Sequence, residues 1–264
     1  MSLGAPSSAK PDLALIHGWG IGQAAWQPLA EALAPFCCVH YVNLPGYGST
    51  PASQASFQDT AQAMLEALPE GSILCGWSLG GLLALQAAIL APQRINGLIL
   101  IGASPSFTQH DNWLHAQTPA LLETFTAAVS QDPATTLQRF IALLNQGDAK
   151  ARSAIRALAQ ALATTPLPDT ASLVQGLGWL RDIDLRDQLA GLTIPALLIH
   201  GENDPLMPLA AAQWLQQTLN TSQLEIIPGA AHAPFINAPE RIAKLIGDYC
   251  HASAIHQATR PRVV

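Results

Sequence analysis

Short runs of Leu, Ile and Val, each closed by glycine, proline or a polar turn residue, recur along the chain between longer stretches of helical periodicity. Six of these runs have strand length: Leu13–Ile16, Cys37–Val42, Ser72–Cys75, Gly97–Ile101, Ala196–His200 and Gln223–Ile227. Between them, helices are expected over Ala24–Leu33, Phe57–Leu68, Leu79–Leu90, Pro208–Leu219 and Pro239–Cys250. The runs are apolar throughout rather than alternating, the pattern of strands buried on both faces. Such strand–helix alternation predicts an α/β fold with a mainly parallel sheet, helices on both faces and right-handed crossovers.

One interval breaks the alternation. From Ser106 to Leu192 no strand-like run occurs, and helices are expected over Pro119–Ser130, Ala134–Leu144, Ala149–Ala163 and Ala171–Leu180. The chain therefore reads as a core of residues 11–105 and 193–251 carrying a helical insertion, 106–192, after the fourth recognisable strand. An insertion at the mouth of a sheet is a common way to build a lid over a pocket. An independent helical domain is the alternative. Residues 252–264 lack periodicity and read as a flexible tail.

At 264 residues the chain can bury a full core without a disulfide or metal staple. Hydrophobic residues make up 49% of it and charged residues only 11%, which raises the question of a membrane span. No uninterrupted apolar run approaches the ~20 residues that a spanning helix needs, and Met1–Pro11 lacks the apolar stretch of a secretory signal. Cys37, Cys38, Cys75 and Cys250 show neither metal-ligand spacing nor a disulfide framework, as expected of thiols in a reducing cytoplasm. The net charge of −6 argues against a nucleic-acid partner. Charge is nevertheless uneven: Arg139, Lys150, Arg152 and Arg156 fall in one stretch whose single acid is Asp148.

The chemistry lies in the turns that close the strands. Gly76-Trp77-Ser78-Leu79-Gly80-Gly81 matches G-x-S-x-G and sits between a strand and a helix, the context of a nucleophile elbow. A sharp turn there holds Ser78 in strained geometry, and the helix N-terminus points its dipole and free N–H groups at a reacting carbonyl. His17-Gly18-Trp19-Gly20 closes the first strand, so the N–H groups of Trp19 and Leu79 are candidate oxyanion donors. A serine needs a base. Of eight histidines, His232 lies in a loop after the last strand, at the same sheet edge as Ser78. His200 ends the fifth strand and is the rival, better suited to packing beneath the acid loop, while His40 lies inside a strand and reads as structural. For the acid, Gly201-Glu202-Asn203-Asp204-Pro205 offers Asp204, with Glu202 as the lesser alternative; the order Ser, Asp, His is that of this elbow's usual triad. Phe107, Phe140 and Trp77 are candidates either for apolar pocket walls or for core. Arg152 and Arg156, four apart, share one helix face, where positive charge can steer an acidic partner; a merely solvated face is the alternative.

These motifs, with Leu44-Pro45-Gly46-Tyr47-Gly48, Ala103-Ser104-Pro105-Ser106-Phe107, Asp182-Ile183-Asp184-Leu185-Arg186 and Ala230-Ala231-His232-Ala233-Pro234-Phe235, carry a resemblance. The chain resembles the α/β-hydrolases over nearly its whole length. More closely, it is similar to the pimeloyl-[acyl-carrier protein] methyl ester esterases of biotin synthesis. The resemblance implies a triad of Ser78, Asp204 and His232, oxyanion groups from Trp19 and Leu79, and neither metal nor organic cofactor. It also implies a lid whose basic residues, here Arg139, Arg152 and Arg156 with Lys150 nearby, hold an acidic acyl-carrier protein bearing the ester. Thr135 stands where the family can carry a basic residue and Asn43 where it often has Asp, and a leading β-hairpin is expected to be reduced. The expected protein is thus a cytoplasmic, monomeric serine carboxylesterase. The alternatives are a broad-specificity esterase for short acyl esters, a carbon–carbon hydrolase or lyase of the same superfamily, and a non-catalytic binding protein.

Overall fold

The computed structural model describes residues 10–258. The expectations for a leading hairpin and for a secretory signal fall largely on residues 1–9, and that for the end of the tail on 259–264; these lie outside the described residues. The elements run β1 (Asp12–Ile16), α1 (Gln27–Leu33), β2 (Cys38–Val42), α2 (Phe57–Glu66), β3 (Ser72–Trp77), α3 (Leu79–Leu90) and β4 (Ile95–Ile101). There follow α4 (Pro119–Gln131), α5 (Pro133–Leu144), α6 (Ala151–Ala163) and α7 (Thr170–Asp182). The chain then returns to the sheet with β5 (Ala196–Gly201), α8 (Leu209–Thr218), β6 (Ser222–Ile227), α9 (Pro234–Asn237) and α10 (Pro239–Ala258).

The six strands form one parallel sheet in the order β2-β1-β3-β4-β5-β6. Every residue of β3 and β5 is buried, on both of the faces to which their side chains alternate, so the sheet is covered on both sides. The edge strands β2 and β6 are half exposed, which is why they carry Cys38, His40, Tyr41, Gln223 and Glu225. Helix α3 is apolar all round and buried from Leu79 to Ala88, as a helix wedged against β3 and β4 must be. The strand order reverses direction between β1 and β3, and this crevice at the C-terminal edge is where open α/β sheets bind ligands.

Proline accounts for one departure from the expected boundaries. The helix expected over Ala24–Leu33 divides into a 3-10 turn at Gln23–Trp26 and α1, because Pro28 has no N–H to continue a single α-helix. A second difference is at the far end, where α10 continues past Cys250 to Ala258 with Ser253 buried. The segment between β4 and β5 is helical, with only isolated bridges such as Ser106↔Asp184, which ties its two ends together.

Candidate active site

Ser78 is the one non-glycine with positive φ among the described residues, at φ 57° and ψ −119°. That strain is held by the elbow's surroundings. Its N–H donates to the Ile101 carbonyl at 3.0 Å, and its own carbonyl accepts from Gly81 and Leu82 at 2.9 and 3.1 Å. A Cβ at position 76 would run into the Gly80 carbonyl, and one at position 80 into the Ile16 carbonyl. Both glycines are therefore fixed by close backbone approach. Leu79 opens α3, so its N–H is among the first-turn groups without an intrahelical acceptor.

The loop after β1 lies against this elbow: a Cβ on Gly18 would come within 3.3 Å of Ser78 Cβ. Two buried side chains shape that loop. His17 donates from Nδ1 to the Gly18 carbonyl at 2.8 Å and accepts the Leu44 N–H on Nε2 at 3.1 Å, and the Tyr47 hydroxyl accepts the Gly20 N–H at 2.9 Å. Burial pushes the His17 imidazole down to about 4, partly opposed by the Gly18 carbonyl, so it is neutral and can accept. Trp19 is clasped from the other side, its indole N–H donating to the Leu173 carbonyl of α7 at 2.8 Å.

At the ends of β5 and β6, Asp204 Oδ2 lies 2.8 Å from His232 Nδ1, and both side chains are buried. The Asp204 carboxylate also accepts the Leu206 and Met207 N–H groups on Oδ1, each at 2.9 Å. Burial alone would push this carboxyl up; the His232 imidazole, His200 and the Met207 N–H outweigh it and hold the group below the usual carboxylate range. A carboxylate on Nδ1 fixes the tautomer that leaves Nε2 as an acceptor. That Nε2 is buried and has no hydrogen-bond partner. Glu202 instead accepts the Gly229 N–H at 2.9 Å, which pins the histidine loop and leaves Asp204 as the carboxylate on His232. His200 lies beneath the acid loop and donates from Nε2 to the Met207 carbonyl at 2.7 Å; burial lowers its pKa.

A small apolar cavity of about 20 Å³, space for about one water molecule, is bordered by Ser78, Trp19, Phe107, Phe140 and residues of α4 and α7. Phe107 and Phe140 are thus walls of the cavity. Trp77 is core: 1% exposed, it packs on Trp26 and Phe235 and donates its indole N–H to the His232 carbonyl at 2.9 Å. A groove of about 740 Å³ between β2 and α2 touches none of Ser78, Asp204 and His232, so volume alone does not locate the chemistry.

Two contributors escaped the sequence reading. Gly102 adopts φ +51° directly beneath the acid–base pair, where a Cβ would lie 3.1 Å from His232 Nδ1 and 3.2 Å from Asp204 Oδ2. A glycine closing β4 is its only signal. The other is Asp148. Its carboxylate accepts the Ala231 N–H and the Asn237 side-chain amide, both at 3.0 Å, while the Ala149 N–H donates to Gly229 and the His232 N–H to Leu144. The turn between α5 and α6 is thereby laced to the histidine loop. Arg139, Lys150, Arg152 and Arg156 are exposed and have no ion-pair partner among the described residues. In α6 the buried stripe is Ala154, Leu158 and Leu162, which turns Arg152 and Arg156 to solvent. Thr135 lies at the start of α5, its N–H capped by Asp132.

The sequence profile of the α/β hydrolase fold family matches residues 13–239. A pimeloyl-[acyl-carrier protein] methyl ester esterase of Photobacterium profundum is 41% identical over 239 residues, 90% of this chain and 94% of its own. The enzyme of the same name from Aromatoleum aromaticum is 41% identical over 244 residues, covering 90% and 98%. Among solved structures, an esterase from Exiguobacterium antarcticum superposes with a TM-score of 0.82 at 23% identity, over 92% of each chain. At that identity the superposition speaks for the fold, and the match to the esterase sequences carries the closer kinship. The chain belongs to the α/β-hydrolase fold family and, within it, to the family of the pimeloyl-[acyl-carrier protein] methyl ester esterases.

Proposed function

We propose that this chain is a serine carboxylesterase that hydrolyses the methyl ester of a pimeloyl group carried on an acyl-carrier protein. The observation that carries the chemistry is the buried Asp204–His232 pair, whose unpartnered Nε2 shares the sheet edge with a strained serine bordering an apolar cavity. His232 Nε2 takes the Ser78 proton as Oγ attacks the ester carbonyl, and the N–H groups of Trp19 and Leu79 receive the oxyanion. His232 then protonates the departing methoxide, methanol leaves, and a water activated by the same nitrogen releases the free carboxylate. Nothing in this scheme requires a metal or a cofactor. The name carried by the relatives supports the substrate.

In this reading the segment 106–192 is a lid. The apolar cavity at Ser78, walled by Leu121, Leu122 and Phe125 of α4, receives the acyl chain, with α4 as the element that admits it. Arg139, Lys150, Arg152 and Arg156 receive the acidic carrier, and Phe140 guides the chain. No helix is long and apolar enough to cross a membrane among the described residues, and we place the enzyme in the cytoplasm as a monomer. The test is turnover of pimeloyl-carrier methyl ester against short nitrophenyl esters, with Ser78→Ala as control. Hydrolysis of the carrier ester at a higher kcat/KM, abolished in Ser78→Ala, is expected. Equal turnover of both esters would favour a broad-specificity esterase, and activity surviving in Ser78→Ala would remove the nucleophile assignment.

A further inference from the structure

At the opposite end of β1 and β2 from Ser78, three chemically distinct donors meet across two strands. The parallel register pairs Asp12 with Cys38 and Ala14 with His40, so the side chains of Asp12, Cys38 and His40 project from one face of the sheet. One ligand atom from each, a carboxylate oxygen, a thiol sulfur and an imidazole nitrogen, lies within 4.8 Å of the others. His40 Nε2 and Asp12 Oδ1 are already 2.6 Å apart. Around a tetrahedral ion with bonds of ~2.0–2.3 Å, ligand atoms sit about 3.5 Å from one another. No pair is more than 4.8 Å apart, and the His40–Asp12 pair has to open by about 0.9 Å to admit the ion.

The donor set selects the ion. A thiolate with an imidazole and one carboxylate suits Zn²⁺, whereas Ca²⁺ and Mg²⁺ demand more oxygens. Access is open: the side chains of His40 and Asp12 are 32% and 37% exposed, and Cys38 is the exposed cysteine beside buried Cys37, Cys75 and Cys250. The adjacent Cys37 turns into the core, so the Cys37-Cys38 pair divides between interior and surface. Neighbouring cysteines gave no metal-ligand spacing in sequence because the ligands come from Cys38-Val39-His40 and, across the ladder, from Asp12.

We infer that Asp12, Cys38 and His40 bind one Zn²⁺, with water in the fourth position, clamping the edge strand β2 to β1. Binding releases the Cys38 thiol proton to solvent. Lying at the N-terminal edge of the strands, the ion takes no part in the ester chemistry.

The test uses the full chain freed of metal with a chelator and titrated with Co²⁺, an optical stand-in for Zn²⁺. One equivalent should bring up a thiolate-to-cobalt charge-transfer band, displaced by Zn²⁺ and absent in Cys38→Ser, with Cys38→Ala in reserve should the serine disturb the strand. His40→Gln and Asp12→Asn should each weaken binding at least about tenfold, since loss of even an outer-shell partner costs about 10–100-fold. Stoichiometric Zn²⁺ should also slow alkylation of Cys38 by iodoacetamide, while hydrolysis of a short ester is unchanged in all four variants. Absence of the band, its survival in the cysteine variants, or an alkylation rate indifferent to Zn²⁺ would overturn the site.

Discussion

The floor and the roof of the cavity at Ser78 are built on different principles. The floor, at the C-terminal edge of the sheet, is a polar cluster in which nearly every group is held by backbone: Ser78 by Ile101, Asp204 by Leu206 and Met207, His17 by Gly18 and Leu44. The roof, α4 to α7, is bonded to it at Leu173 and around the α5–α6 turn; over the cavity it meets the floor through apolar edges, with Trp19 set edge-on against Phe125 and Phe140 at ring separations of 6.3 and 4.9 Å. Directional bonds in a dry setting fix positions to fractions of an ångström, as acid–base chemistry requires. Apolar contacts lose little when surfaces slide, whereas the α5–α6 turn is pinned to the histidine loop by hydrogen bonds.

Breaking the floor should have the largest effect. Asp204→Asn keeps the size of the side chain but removes the negative charge and offers His232 a partner for the wrong tautomer. We expect kcat on any ester to fall about 10,000-fold, while Glu202→Gln, whose carboxylate serves Gly229, changes it little. Turnover of a nitrophenyl ester on protein with unchanged circular dichroism checks both. A loss of less than tenfold in Asp204→Asn would shift the acid role elsewhere.

The floor's rigidity also has a pH signature. Burial holds the folded-state pKa of His17 near 4 against 6.5 for the free side chain. The unfolded chain therefore takes up this proton first, and stability present above pH 6.5 declines as pH falls toward 4. The full decline is about 3 kcal/mol for this group, and His200, lowered by the same cause, acts in the same direction. Asp204, held low, adds its loss only below the ordinary carboxylate range. Urea midpoints measured down through this window should fall for the wild type and fall less for His17→Gln. Parallel curves would separate the slope from His17.

The two regions also differed in how far the sequence betrayed them. Floor residues sit in turns directly after strands, where a motif of a few residues specifies strand, turn and chemistry together. Ser78, Asp204 and His232 stood out as candidates on that ground, and the fold followed from apolar runs such as Ser72–Cys75. What joins floor to roof was hidden, because it depends on contacts between distant segments. Asp148 reads as one acid diluting a basic stretch, and only the fold shows its carboxylate bound to Ala231. Trp77, adjacent to Ser78, could have lined the pocket or the core, and the packing of Trp26 and Phe235 decides for the core.

Asp148 spans the two regions, since it belongs to the roof by sequence and to the floor by bonding. Asp148→Ala leaves the Ala231 N–H without its acceptor, a loss of about 1–3 kcal/mol, and Tm should fall by roughly 2–8 °C. Because the strain is delivered to the histidine loop, kcat for short and carrier-bound esters should drop by the same factor. A change confined to the carrier ester would make Asp148 a docking residue instead.

The smallest effect should come from the outer surface of the roof, and its selectivity carries the information. Arg152 and Arg156 project from α6 on the side away from Ala154, Leu158 and Leu162, where they bind nothing else in the fold. Replacing both with Gln removes charge while leaving the helix and its buried stripe intact, so stability and short-ester turnover should not change. Steering of an acidic carrier depends on that charge and is screened by salt. At low ionic strength kcat/KM for the carrier-bound ester should fall about tenfold, and the difference from wild type should shrink as salt is raised. An equal loss on both esters would mean that these arginines hold the roof in place. No loss on either would move carrier docking to another face, with Arg139 and Lys150 the next residues to neutralise.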